Sequence, residues 1–205
     1  MLFVTRPDHD TSNYYLYLWS KEIIDLCKTM GNKVIDLKGK RANKKEVVGI
    51  LSKKSPELLF FNGHGSETEI YGYNDEVLIK LKDNHQLICN KIVYARSCQS
   101  AKELGKEVAN NGGTYIGYVG DFMFPVDSNK SSTPLKDKLA APVLEASNEV
   151  MINLVKGKSP KEAYDKSQKR SLELFYKLAH SEVPIFINPT LWALISNRQN
   201  QVLLE

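Results

Sequence analysis

The sequence predicts an α/β domain, a mostly parallel sheet with helices on both faces. Short apolar runs of strand length alternate with longer stretches in which apolar residues recur every three or four positions. Residues that start and stop helices stand between them. The chain of 205 residues, 42% hydrophobic and 25% charged, is long enough to bury one core and too short for two ordinary ones, so 1–205 is read as a single domain.

The elements follow in order. LFV (2–4) is a short strand, and 13–30 is a helix with Leu16, Trp19, Ile23, Leu26, Cys27 and Met30 on one stripe and Gly31 just past its end. KVIDL (33–37) is the next strand, Asn43 and Glu46 open a helix to about Leu51 with capping-box spacing, and ELLFF (57–61) follows as a strand. Turn formers Gly72, Asn74, Asp75, Asp83 and Asn84 around pieces such as EVLIK make 66–90 a hairpin or irregular excursion. KIVYA (91–95) resumes the alternation, followed by a helix from about Ser100 with Glu103 completing a second capping box, a break at Gly112–Gly113, and the strand TYIGYV (114–119). Residues 120–138, rich in Asp, Ser, Asn, Pro and Lys, read as a mobile loop. Two helices come next, roughly 139–156 and 160–180, the second started by Ser159–Pro160–Lys161–Glu162. VPIFI (183–187), LWALI (191–195) and a short tail close the chain and are expected to supply one more strand; no internal repeat or low-complexity tract is present.

Composition narrows the function. Lys+Arg 28 against Asp+Glu 24 gives a net charge of +4, spread without the basic stripes of a nucleic-acid binder. The start MLFVTRPDHD offers neither a secretory apolar region nor a membrane span, so a cytoplasmic protein without membrane partners is expected. Cys27, Cys89 and Cys98 are an odd number at wide spacing, which fits reduced thiols and leaves no CxxC pair. No GxGxxG or GxxxxGK loop follows a strand, which disfavours a flavodoxin-like nucleotide or phosphate binder.

In an open parallel sheet, chemistry gathers beyond the carboxyl ends of the strands. ELLFF runs into Asn62–Gly63–His64–Gly65–Ser66, and KIVYA runs into Arg96–Ser97–Cys98–Gln99–Ser100. Taken singly, a strand-end cysteine is usually packing and a histidine between glycines a polar loop residue. Taken together they occupy equivalent positions, and neighbouring strands about 4.8 Å apart would turn both into one crevice as nucleophile and base. A helix starting just after Cys98 would favour its thiolate, and the N–H groups of Gly65 and Cys98 could hold an oxyanion.

NGHGS and RSCQSA after successive strands resemble the His-Gly and Cys dyad of the caspase-like (clan CD) cysteine peptidases, which include gingipains, clostripain, metacaspases and the prokaryotic CHAT proteases. GHGSET is similar to the gingipain version. GYVGDFMFPVD, KGKSPKEAYDKSQ and NPTLWALI are similar to later CHAT segments, the last to a closing Pro-x-x-Trp-Ala strand, so the resemblance covers about 57–195. The caspase signature Q-A-C-x-G is absent and the His-to-Cys spacing is shorter than the roughly 50 residues of caspases. The resemblance implies a caspase-like fold and a cysteine endopeptidase that needs no cofactor or metal, with His64 as acid and base and Cys98 as nucleophile. It further implies a protein or peptide substrate and a role in prokaryotic defence or regulated proteolysis; because a cytosolic peptidase must be restrained and 120–138 reads as exposed, control by processing of that loop or by an activating or inhibiting protein partner is expected. It also makes Arg96, two residues before Cys98, a determinant of charge preference, with Asp8, Asp10 and Asp121 as further candidates for substrate contact.

His9, His85 and His180 sit in polar surroundings and read as solvated surface residues, Cys27 and Cys89 as core thiols. Asp8–His9–Asp10 could bind a cation, although short acidic loops before a helix more often cap it. The alternative from another class is a catalytically silent caspase-like module that binds a partner.

Overall fold

The computed structural model describes residues 1–180 and 188–205. The chain opens with strand β1 (Leu2–Arg6), helices α1 (Thr11–Trp19) and α2 (Lys21–Thr29), strand β2 (Val34–Lys38), helix α3 (Lys44–Lys54) and strand β3 (Leu58–Asn62). A hairpin of β4 (Glu69–Tyr71) and β5 (Val77–Lys80) precedes β6 (Ile92–Arg96), α4 (Leu104–Asn110) and β7 (Thr114–Tyr118). Helices α5 (Ala141–Val155), α6 (Pro160–Ala179) and α7 (Pro189–Asn200) and strand β8 (Gln201–Leu204) follow. Six strands form one sheet in the order β2-β1-β3-β6-β7-β8, parallel throughout except for β8 against β7.

Successive strand residues face opposite sides of the sheet, so Leu2, Val4, Phe60 and Tyr94 share one core with Leu16 and Ile23 of α1–α2 and Leu144 of α5. On the other face Phe3, Leu59, Phe61 and Val93 pack with Val47 and Leu51 of α3 and Val108 of α4. Burial on both faces is why ELLFF and KIVYA are unbroken apolar runs without alternation. The α/β class expected from the sequence is the class observed. Among the described residues no helix is long and apolar enough to cross a membrane.

Four local expectations need correction. The single helix over 13–30 is two, meeting at Ser20, whose hydroxyl bonds back to the Leu16 carbonyl at 2.7 Å and so competes with the helical ladder. The helix expected from Ser100 begins at Leu104, because Gln99 takes a left-handed backbone (φ 58°) and the N–H groups that would start the helix earlier go elsewhere. Gln99 donates to the Gly120 carbonyl, Ala101 to Tyr118, and Glu103 and Leu104 to Glu67. LWALI lies within α7, not in a strand: Asn188 caps the Thr190 N–H, Pro189 opens the helix, and the final strand is Gln201–Leu204. VPIFI (183–187) falls outside the described residues.

The fourth correction concerns 120–138, which is tied to the body of the protein. Phe122 is buried, Phe124 packs against Tyr15 with ring centroids 5.6 Å apart, and Asp137 is fully buried. The Asp137 carboxylate accepts hydrogen bonds from the Tyr15 hydroxyl (2.7 Å) and from the backbone N–H groups of Asp127, Leu139 and Ala140. Burial opposes its charge, but these donors outweigh burial and hold the carboxyl below the ordinary aspartate range. A carboxyl depressed on folding contributes its stability above the unfolded value of about 3.9 and loses it as pH falls through the folded value. Asp137→Asn is therefore expected to cost about 1–3 kcal/mol at neutral pH, with the gap to wild type narrowing below about pH 4, as read from urea-unfolding midpoints at both pH values.

Candidate active site

Strands β1, β3, β6 and β7 are consecutive in the sheet, and the loops leaving their carboxyl ends carry Asp10, His64, Cys98 and Phe122 respectively. Asn62 of β3 is paired in register with Arg96 of β6, so His64 and Cys98 each lie two residues beyond a matched pair. Below them Asn62 ties three strands together: its amide donates to the Thr5 carbonyl of β1 at 2.9 Å, and its oxygen accepts from Arg96 Nε at 2.7 Å. His64 and Cys98 line one open cleft of ≈ 280 Å³ together with Asn13, Arg96, Phe122 and Met123.

Glycine is required on both sides of His64. Gly63 has φ +142°, and a Cβ there would lie 2.6 Å from the Tyr71 carbonyl; a Cβ on Gly65 would lie 2.8 Å from that of Ser97 and 3.0 Å from the Cys98 carbonyl. The β4 hairpin grips this loop, Tyr71 N–H donating to the His64 carbonyl and Ser66 N–H to that of Glu69. That pattern leaves the Gly65 N–H outside the ladder and without a protein acceptor among the described residues, while the Cys98 N–H lies against its own Sγ.

The His64 imidazole is held through Nε2, 2.8 Å from Oδ2 of Asp10. Asp10 is the N-cap of α1: its Oδ1 accepts from Asn13 N–H at 2.8 Å and its Oδ2 from the Asn13 side-chain amide at 2.7 Å. Desolvation works against the Asp10 charge, yet the Asn13 and His64 hydrogen bonds outweigh it and hold the carboxyl below its usual range. The Asp8–His9–Asp10 segment thus serves as a cap, and Asp10, expected among the substrate contacts, faces His64.

Cys98 departs from expectation. With α4 starting at Leu104, no helix terminus lies at the thiol, and burial, joined by the Asp121 carboxylate, pushes it above the ordinary cysteine value despite opposing backbone N–H donors at Phe122 and Cys98. Its Sγ donates to the Phe122 carbonyl at 3.8 Å, and no hydrogen bond joins it to His64 in this conformation. The resting group is a protonated thiol that needs a base.

Arg96 is fully buried, its guanidinium spent on Asn62, Ser147 (3.2 Å), Asn148 (2.9 Å) and the Leu16 carbonyl (3.4 Å), with the Phe60 ring below. Burial lowers it to about 10, so it stays cationic at neutral pH. Among the described residues no carboxylate pairs with it, and it presents no exposed fork to the cleft. Asp121 is exposed, accepts from Gln99 at 2.9 Å and flanks Cys98. Asp8 is exposed, packs against Gly39 and does not line the cleft.

His180 is exposed, as expected. His85 is buried and accepts from Lys82 N–H at 3.1 Å, and His9 is nearly buried, so neither is the solvated residue that polar neighbours implied. Cys27 is a core thiol and Cys89 is half-buried, its Sγ near the His85 carbonyl. Sequence reasoning missed Asn13 and Phe122 altogether; the only signal for Asn13 was its place three residues after Asp10 at a helix start. Among the described residues no group of three or more His, Cys, Asp or Glu side chains is arranged to hold a metal ion. A comparison with family models finds no match for this chain, and neither does a comparison with curated proteins.

Because a neighbouring carboxylate raises the Cys98 thiol, Asp121→Asn is expected to speed iodoacetamide labelling of Cys98 severalfold at mildly alkaline pH and to leave Cys27 and Cys89 unchanged. Peptide mapping of a timed alkylation reads this directly.

Proposed function

We propose that this chain is a cysteine endopeptidase acting on protein or peptide substrates through His64 and Cys98. The observation that carries the proposal is that His64 and Cys98 line one cleft at the carboxyl edge of a parallel sheet. The resemblance of NGHGS and RSCQSA to the caspase-like peptidases points the same way, and a place in prokaryotic defence or regulated proteolysis rests on that resemblance alone.

In the proposed chemistry a peptide carbonyl enters between the two side chains. His64 takes the Cys98 proton, Sγ bonds to the carbonyl carbon, and the oxyanion is held by the Gly65 and Cys98 N–H groups. The C–N bond breaks as His64 returns the proton to the leaving amine. Water, deprotonated by His64, then cleaves the thioester and restores the thiol. Asp10 fixes the orientation of the imidazole, and since the thiol begins protonated, the His64 step cannot be bypassed.

The cation of Arg96, balanced by no carboxylate among the described residues, favours an acidic or polar residue before the cleaved bond; Asp121 at the rim works against that preference and Asp8 stands clear of the cleft. A catalytically silent module that binds a partner on the same surface is the second reading.

Mass-spectrometric profiling of a denatured peptide library decides between them. Wild type is expected to cleave, with Asp or Glu enriched before the cut. Cys98→Ala should abolish cleavage and His64→Ala should lower it by about a hundredfold or more, circular dichroism remaining unchanged. A folded wild type that leaves the library intact, or a Cys98→Ala protein that still cleaves, removes the peptidase reading.

A further inference from the structure

Charge is unevenly placed in this molecule. No long basic run marks the sequence, yet eight of its 28 Lys and Arg fall between 33 and 54, against two of its 24 Asp and Glu. That surplus of six exceeds the net charge of +4 of the whole chain, so the remaining residues together are negative. The fold gathers the stretch along one side. β2 is an outer strand of the sheet, residues 39–41 turn away from its end, and α3 packs nearby, Ile35 of β2 and Ile50 of α3 lying half-buried against the same core as Val47 and Leu51.

The two acids of the stretch are already neutralised. Asp36 accepts from Arg6 Nε at 2.9 Å, and Glu46 from Arg41 at 3.2 Å. From outside the stretch Asp83 pairs with Lys44 at 2.8 Å, and Asp8 stands beside Gly39. Lys33, Lys38, Lys40, Lys45, Lys53 and Lys54 are exposed, and none forms an ion pair among the described residues. Lys45, Gly49 and Lys53 follow at four-residue spacing along one face of α3, which is 11 residues and about 16 Å long. An open depression of ≈ 360 Å³ on this face is lined by Lys45, Gly49, Ile50, Lys53 and Lys54, and a Cβ on Gly49 would meet nothing within 4 Å.

Six such cations suit a polyanion, and the composition of the face selects which. The stretch has no aromatic residue on which an unpaired base could stack, and none of the exposed large apolar side chains among the described residues falls in it to enter a membrane. A flexible acidic segment of a protein would have to be ordered to reach both ends of α3, whereas a duplex presents one charge per ~1.7 Å of axis on a stiff rod. Side chains suited to the 2′-hydroxyls that mark RNA are committed: Asn43 caps α3 and Ser55 accepts from Lys91, which leaves Ser52 alone in the stretch. We propose that the β2–α3 face docks the phosphate backbone of duplex DNA without reading its sequence. This docking is independent of any hydrolysis at Cys98. Each lysine that meets a phosphate releases a condensed counterion, so affinity falls with salt to a power of about 0.9 per contact.

The test is fluorescence anisotropy of a short labelled DNA duplex of mixed sequence with the full chain, over a series of salt concentrations. Wild type is expected to bind at low salt, with log affinity against log salt falling at a slope of about −3 to −5. The triple variant Lys45→Gln, Lys53→Gln, Lys54→Gln is expected to make that slope shallower by about two to three and to weaken low-salt binding on the order of tenfold or more. The triple variant Lys161→Gln, Lys166→Gln, Lys169→Gln, which removes three exposed lysines from α6, should bind as wild type does. Circular dichroism checks the fold of each, and Lys53→Gln alone, expected to flatten the slope by about one, serves if the α3 triple does not fold. Wild type that leaves the duplex free at low salt, or an α6 variant weakened as much as the α3 variant, overturns the proposal. So does tighter binding of polyglutamate or of a matched RNA duplex than of DNA.

Discussion

The amide of Asn62 joins the ends of three parallel strands, and the candidate site is built on that join. Its nitrogen is committed to the Thr5 carbonyl and its oxygen to Arg96, so the side chain has one orientation and the ends of β1, β3 and β6 are locked in register. A one-residue slip of β6 against β3 would send Cys98 to the opposite face of the sheet. Burying an arginine is tolerable only because Asn62, Ser147 and Asn148 replace the water it loses. The same cation that fastens the sheet edge thereby leaves an unbalanced positive charge next to the cleft.

Opposite charges are sorted across this edge. Arg96 lies at the base of the cleft, bonded to Asn148 of α5, while Asp10 faces His64 and Asp121 flanks Cys98. Asp10 keeps its charge through the amide donors of α1, which makes a helix cap part of the site: the residue that starts α1 also orients His64. Asp121 does the reverse for Cys98, since an anion near a thiol resists its ionisation.

The sheet and most of its helices were legible in the sequence because they are set locally. The Asn43 and Ser159 caps form where expected, Asn43 accepting from Glu46 N–H and Ser159 closing a full capping box with Glu162. The equivalence of His64 and Cys98 was legible too, requiring only that two apolar runs be neighbours. What stayed hidden depends on distant partners. The start of α4 was misread because its backbone donors are taken by the carbonyls of Glu67, Tyr118 and Gly120. LWALI was misread because a five-residue apolar run fits either period. Asp10 went to the wrong neighbour because it lies 54 positions from His64, and only the order β1-β3 brings them together.

The hydrogen bond from Tyr15 to Asp137 spans 122 positions and fixes the segment that carries Phe122 and Phe124 against the cleft. During synthesis His64 and Cys98 leave the ribosome well before Asp137, so the nascent chain holds both side chains while one wall of the cleft is still missing. Contacts of such long sequence separation form late. The wall of the cleft that carries Phe122 and Phe124 can therefore be fastened only once residue 137 has been made, after both His64 and Cys98.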